Sequence, residues 1–226
     1  MAAHTDRQYE EELTDLRQSI LSMGGLVEKQ IAKAIEALVQ RDRALAETTI
    51  EKDAEVNALD VAIDALCLRL LALRQPAGRD LRFITTALKI TTDLERIGDR
   101  AVSISERAIE LAAEPPLKPY IDIPRMADIS LGMLRQSLDA FVREDPDMAL
   151  AVCRSDDEVD KLNGQIFREL LSYMIEDPHT ITRAMRILFV SKYLERIADH
   201  ATNIAEMVVF MVKGQSIRHT SVPPSV

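Results

Sequence analysis

Tryptophan is absent from this chain of 226 residues, aromatic residues make up 4% of it, and it holds only seven glycines. Nowhere does an apolar–polar alternation of strand type run, which excludes a sheet-based fold; the 47% hydrophobic content, rich in Ala, Leu, Ile and Met, reads as all-helical. Cysteine is almost as scarce. Cys67 and Cys153 stand alone inside amphipathic runs, which excludes a disulfide framework and suits small buried residues in a reducing cytoplasm. No stretch approaches the ~18 uninterrupted apolar residues of a spanning helix, so direct membrane insertion is not expected. Met1 to Glu12 is polar and charged, without an apolar signal core, and a soluble cytoplasmic protein is the expectation. Runs of Lys or Arg are missing too, and 28 cations against 37 acids leave a formal charge of −9. Nucleic acid is therefore not expected as a partner, whereas metal cations or basic protein surfaces are. There is no Gly-rich phosphate loop, no Ser/His/Asp or Cys/His grouping and no His-x-x-x-His, and His4, His179 and His219 fall at a terminus, a loop and the tail. A non-enzymatic role follows as the expectation.

What the chain does have is a repeat. Leu94-Glu95-Arg96-Ile97-Gly98-Asp99-Arg100-Ala101 returns as Leu194-Glu195-Arg196-Ile197-Ala198-Asp199-His200-Ala201. Upstream, Ala37 to Asp42 pairs with Ala140 to Asp145, and Asp53, Glu55, Val56 and Leu59 pair with Asp156, Glu158, Val159 and Leu162, at a spacing of 103 rather than 100. The chain is two copies of one unit of roughly 100 residues, the second having lost three residues from a loop.

Apolar residues at three- and four-residue steps predict helices over about 6–41, 44–74 and 80–113 in the first copy, and about 125–143, 147–176 and 180–213 in the second. Gly24-Gly25 lies within the first helix, where it suits a bend or a close crossing. Pro76-Ala77-Gly78 breaks the second from the third, Asp145-Pro146 and Asp177-Pro178 open helices by capping, and Gly214 stops the last. Glu114-Pro115-Pro116-Leu117-Lys118-Pro119 is the linker. The expected plan is all-α: a first three-helix bundle over 1–113, a linker over 114–124, a second bundle over 125–214, and a loose tail over 215–226. The bundles are related by approximate internal symmetry, end to end or side by side. Arg79, Arg82, Lys89, Arg96 and Arg100 make the third helix locally basic, which reads as plain surface before it reads as a partner face.

Both copies keep carboxylates at helical spacing. Glu95/Asp99 and Glu195/Asp199 are each four apart, so each pair stands on one helix face, about 40° apart on the wheel. Leu94, Ile97, Ala101 and Ile104 fall on the opposite side, which makes the acidic stripe a surface feature. The preceding helices carry Asp53/Asn57 and Asp156/Asp160. A hairpin folded at Asp177-Pro178 sets Asp156 level with Asp199 and Asp160 level with Glu195. One folded at Pro76 sets Asp53 level with Asp99 and Asn57 level with Glu95. Four oxygen-bearing side chains at one height suit a hard cation such as Mg²⁺, Mn²⁺ or Ca²⁺, or iron in a cluster. His200 adds a nitrogen in the second copy only, and Asn57 weakens the first site. Asp60/Asp64 read as a solvated face or a helix–helix contact.

Over nearly its whole length, Met23-Gly24-Gly25 to Lys213-Gly214-Gln215, the chain resembles the PhoU family, most specifically at Arg74-Gln75-Pro76, Asp80-Leu81-Arg82, Leu94 to Asp99 and Glu195 to Asp199. The resemblance implies two pseudo-symmetric three-helix bundles whose acidic motifs hold metal, with iron or zinc clusters on the surface and manganese or magnesium also compatible. The ligands it implies are Asp53, Glu95, Asp99, Asp156, Asp160, Glu195 and Asp199. It further implies a homodimeric negative regulator of phosphate uptake and of the phosphate-starvation response, an adaptor between the ATPase subunit of the phosphate ABC transporter and a sensor histidine kinase. The competing reading is a metal-carboxylate enzyme or metal store built on a helical bundle. It would place its ligands inside the bundle, opposite to the wheel.

Overall fold

The computed structural model describes residues 2–217, with side chains from Arg7 onward; His219 and the tail beyond Ile217 lie outside the described residues, as does the side chain of His4. The chain is all-α. Helices α1 (Ala2–Gln40), α2 (Arg43–Glu51), α3 (Asp53–Arg74) and α4 (Gly78–Ala112) form the first copy, and α5 (Asp122–Arg143), α6 (Pro146–Glu176) and α7 (Ile181–Lys213) the second. Each copy is a three-helix bundle, but the expected helix over 44–74 is divided at Lys52. Thr48 and Thr49 both turn their hydroxyls back to carbonyls four residues earlier, which bends a helix. Asp53 and Glu55 then supply the acidic first turn that favours a new start.

Capping follows the sequence closely. Asp42 accepts from the Leu45 N–H, and Asp145 accepts from the N–H groups of Asp147 and Met148 with Pro146 at the first helical position. Asp177 instead opens a single 3₁₀ turn, Pro178–Thr180, and α7 starts at Ile181. Gly214 ends α7 with φ 69°, a left-handed value that spares glycine the strain of a Cβ.

The bundles lie side by side. The two third helices, α4 and α7, pack against each other, α1 touches α5, and α3 and α6 are the outer flanks, which do not meet within the described residues. One continuous apolar core runs through both copies, including Ile20, Met23, Ile31, Leu94, Ile97, Leu134, Phe141, Leu194 and Ile197. Gly24 belongs to a close crossing: a Cβ there would fall 2.5 Å from Leu138 Cδ1, while α1 runs unbroken through it.

Cations of α4 that read as plain surface join the copies instead. Arg82 Nε donates to the Met211 carbonyl at 3.0 Å, Lys89 lies over the Phe210 ring, Arg100 lies over Tyr193, and Arg79 pairs with Glu144. Glu144 also takes Arg17, and Glu28 takes Arg135. The linker is tied down as well: Lys118 is buried against Glu169, and Glu114 holds Arg183 and Arg186. Cys67 is buried and Cys153 half-buried, both as free thiols that burial raises to about 12 and about 11.

Candidate metal centre

Each carboxylate cluster sits in the seam between a second and a third helix, α3/α4 in the first copy and α6/α7 in the second. The apolar positions beside each motif are fully buried, Leu94 and Ile97 on α4, Leu194 and Ile197 on α7. That fixes the rotation of both helices and turns the motif acids toward the seam. Asp99, Asp199, Asp160 and Asn57 are exposed, as the wheel requires, but Asp53, Glu95, Asp156 and Glu195 are half-buried. The acidic stripe is thus a lined seam rather than a fully solvated face, because the neighbouring helix covers one side of it.

In the second copy the four acids act on one another. The carboxyl of Asp156 is pushed up to about 6, first by burial, then by the negative charges of Asp199, Asp160, Asp157 and Glu195. Asp199 is raised by burial and then by Glu195 and Asp160, with Lys192 and His200 opposing. These couplings match the level pairing across the α6–α7 hairpin. Lys192 brings a cation to the cluster, pairing with the buried Oε2 of Glu195.

The first copy differs in how it is satisfied. Gln30 Nε2 donates to Asp53 Oδ1 at 3.1 Å, and Asn57 Nδ2 donates to Asp53 Oδ2 at 2.9 Å. Both oxygens of Asp53 therefore have amide donors. Met133 stands where the repeat places Gln30, and Asp160 where it places Asn57, so Asp156 receives neither. Gly98 makes room for this arrangement: a Cβ there would meet Asp53 Oδ1 at 3.3 Å and Gln30 Oε1 at 3.4 Å. Glu95 is raised by burial, then by Asp99, Asp60 and Asp53.

Of these neighbours, Asp157 escaped the sequence reading, and Asp60, which reads there as a solvated face or a helix–helix contact, belongs to the cluster instead. Asp60 bears on Glu95, and Asp157 on Asp156; both are adjacent to the motif in space, and Asp60 is replaced by Asn163 in the other copy, which removed the signal a repeat would give. His200 has a structural task, its Nδ1 lying 2.8 Å from Asp93 Oδ1 across the α4–α7 interface. The repeat places Arg100 and Tyr193 at the matching positions, and they form the matching contact, so one pseudo-two-fold pair is a polar imidazole–carboxylate contact and the other a cation over a ring.

Among the described residues, no three carboxylate, imidazole or thiol groups converge as a finished metal site. The donor chemistry of the second copy still fits a hard cation. Its four carboxylates are all-oxygen, mutually repelling, partly desolvated and short of hydrogen-bond donors, conditions that a bound positive charge relieves.

Comparison with known proteins covers both copies. The PhoU domain family profile matches residues 20–108 and 123–208. The chain is 43% identical over 217 residues to the phosphate-specific transport system accessory protein PhoU homolog of Pseudomonas putida, covering 96% of this chain and 85% of that one. It is 43% identical over 218 residues to the homolog of Caulobacter vibrioides, covering 96% and 95%. Among solved structures, PhoU from Pseudomonas aeruginosa superposes with a TM-score of 0.88 at 43% identity, covering 92% of this chain and 100% of that one. The phosphate transport system regulatory protein PhoU from Streptococcus pneumoniae does so at 0.86 and 32%, covering 92% and 98%.

Proposed function

The chain belongs to the PhoU family, and from that premise we propose that it is a non-enzymatic regulator of phosphate transport, restraining uptake and the starvation response when phosphate is plentiful. The observation that carries the reading is the full-length match to phosphate-specific transport system accessory proteins, through both copies of the repeat. Regulation of this kind needs no chemistry. A protein that binds one state of a partner more tightly than another shifts that partner's equilibrium by the difference in affinity. In the reading proposed here it works in the cytoplasm as a homodimer. It links the ATPase subunit of the phosphate ABC transporter to the sensor histidine kinase of the phosphate response. No helix of the described residues is long and apolar enough to cross a membrane, so contact with a membrane complex would run through those partners.

We also propose that the second-copy cluster holds a cation, iron, zinc, manganese or magnesium, on Asp156, Asp160, Glu195 and Asp199, with Asp53, Glu95 and Asp99 as a weaker first-copy counterpart. The bound charge would neutralise the repulsion within the seam and tie α6 to α7.

Deletion of the gene tests the regulatory reading. Starvation-responsive phosphatase activity should stay high in phosphate-rich medium and phosphate should accumulate, with both reversed by the intact gene. Normal repression in the deletion strain would refute the assignment.

A further inference from the structure

The second copy gathers six large exposed apolar side chains on one hairpin face. On α6, Phe167, Leu171 and Ile175 follow one another at four-residue steps and are 46%, 40% and 74% exposed; on α7, Ile181, Met185 and Phe189 do the same at 45%, 37% and 45%. Four-residue steps keep each trio on one face of its helix. Antiparallel pairing in the hairpin sets Phe167 beside Phe189, Leu171 beside Met185, and Ile175 beside Ile181 near the tip. At the matching positions the first copy has Asp64, Leu68, Ala72, Leu81, Thr85 and Lys89. Leu68 and Leu81 are exposed there too, so it is Phe167, Ile175, Met185 and Phe189 that the repeat does not require. Exposed apolar groups gathered in this way mark an interaction surface.

The deep end of this face is a cavity of about 410 Å³, lined by Gly164, Phe167, Arg168, Phe189 and Lys192 among others. The missing side chain at Gly164 opens it; the nearest atom to a Cβ there is an Arg168 guanidinium nitrogen at 3.5 Å. Cationic Arg168 and Lys192 stand at this end, and the exposed acids Glu176 and Asp177 stand at the hairpin tip. Lys192 is engaged by Glu195 and Asp177 caps the His179 N–H, so Arg168 and Glu176 are the pair whose charges bear on an outside partner.

We propose that this face docks on itself: two copies of the chain pack their α6–α7 hairpins antiparallel about a two-fold axis near Leu171 and Met185. The arrangement sets Ile175 of each copy into the cavity beside Phe167 and Phe189 of the other, and Glu176 of each against Arg168 of the other. A second copy fits because that rotation brings apolar side chains against apolar side chains and Glu176 against Arg168, the self-matching that an isologous interface requires. The six side chains offer roughly 500 Å² of apolar area per copy, and so about 1,000 Å² for the pair, the floor for a biological interface and the size of a reversible one. The result is a four-helix bundle built from two hairpins. This surface deepens the homodimer proposed above and is independent of the phosphate role.

Sedimentation equilibrium on the full-length protein, over a micromolar concentration series, tests it. The expected mass is twice the 25.3 kDa of one chain, falling to one chain in Ile175→Asp and in Phe189→Asp with circular dichroism unchanged. Arg168→Glu and Glu176→Arg should each weaken association about tenfold, a loss of about 1.4 kcal/mol, and the double variant should regain it. That rescue needs no folding assumption about the apolar variants. A dimer indifferent to all four changes would overturn this surface and leave the homodimer standing; a wild-type monomer would overturn both.

Discussion

Asp156 meets four other carboxylates at one helix seam, and burial first, then their negative charges, raise its proton affinity. Met133 in place of Gln30 and Asp160 in place of Asn57 remove the two amides that hold Asp53. The folded-state value of about 6 lies above the ordinary 3.8, so between those values the folded protein binds more protons than the unfolded chain. The stability this contributes is complete below the unfolded value and is lost as pH rises through about 6. Metal-free protein should therefore melt higher at about pH 5 than at pH 7. Asp156→Asn should flatten that part of the profile in scanning calorimetry with chelator present. Metal affinity should separate the copies in the same direction. Titration calorimetry with Mn²⁺ should show Glu195→Ala/Asp199→Ala losing more binding than Glu95→Ala/Asp99→Ala, because each ligand charge raises hard-cation affinity and Asp53 is already satisfied by amides. Equal losses would remove the asymmetry argued from Gln30 and Asn57.

Elements here meet through small residues and paired charges. The α1–α5 crossing depends on Gly24, where the Leu138 side chain occupies the space a Cβ would need. Gly24→Ala should destabilise by about 1–3 kcal/mol through overpacking, less the helix propensity that alanine gains. Leu138→Ala opens a cavity and costs more on its own, about 2–5 kcal/mol. Joined, the two changes should cost less than their sum, since each relieves the other. Urea titrations of the four proteins measure that coupling; strict additivity would mean that α1 and α5 do not press together at this point. The division of the second helix at Lys52 belongs to this scale too. Apolar spacing continues through it, and only the back-bonding of Thr48 and Thr49 and the hold of Gln30 on Asp53 explain why the chain restarts there.

For the whole molecule, the question is whether two copies make two folding units. A single core runs through both, and α4 packs on α7 as well as on the helices of its own bundle. Unfolding should accordingly be one cooperative transition, with equal calorimetric and van't Hoff enthalpies. Segments 1–113 and 125–214 expressed separately should lack that transition, since each would expose the face of α4 or α7 that the other copy covers. Two resolved transitions in the intact chain would contradict the shared core.

The helical class, the repeat, the breaks at Pro76 and Gly214, the caps at Asp145 and Asp177, and the level pairing of Asp156 with Asp199 were legible in the sequence alone. All of these depend on local periodicity and on contacts within one hairpin, where spacing along the chain dictates position in space. Side-by-side placement, the use of Arg82, Lys89 and Arg100 as fasteners between the copies, the engagement of His200 by Asp93, and the half-burial of Glu195 were decided only in the tertiary structure. Those depend on which helix of one copy covers which helix of the other. An exposed position and an inter-bundle contact carry the same residue types, because long cationic side chains serve both.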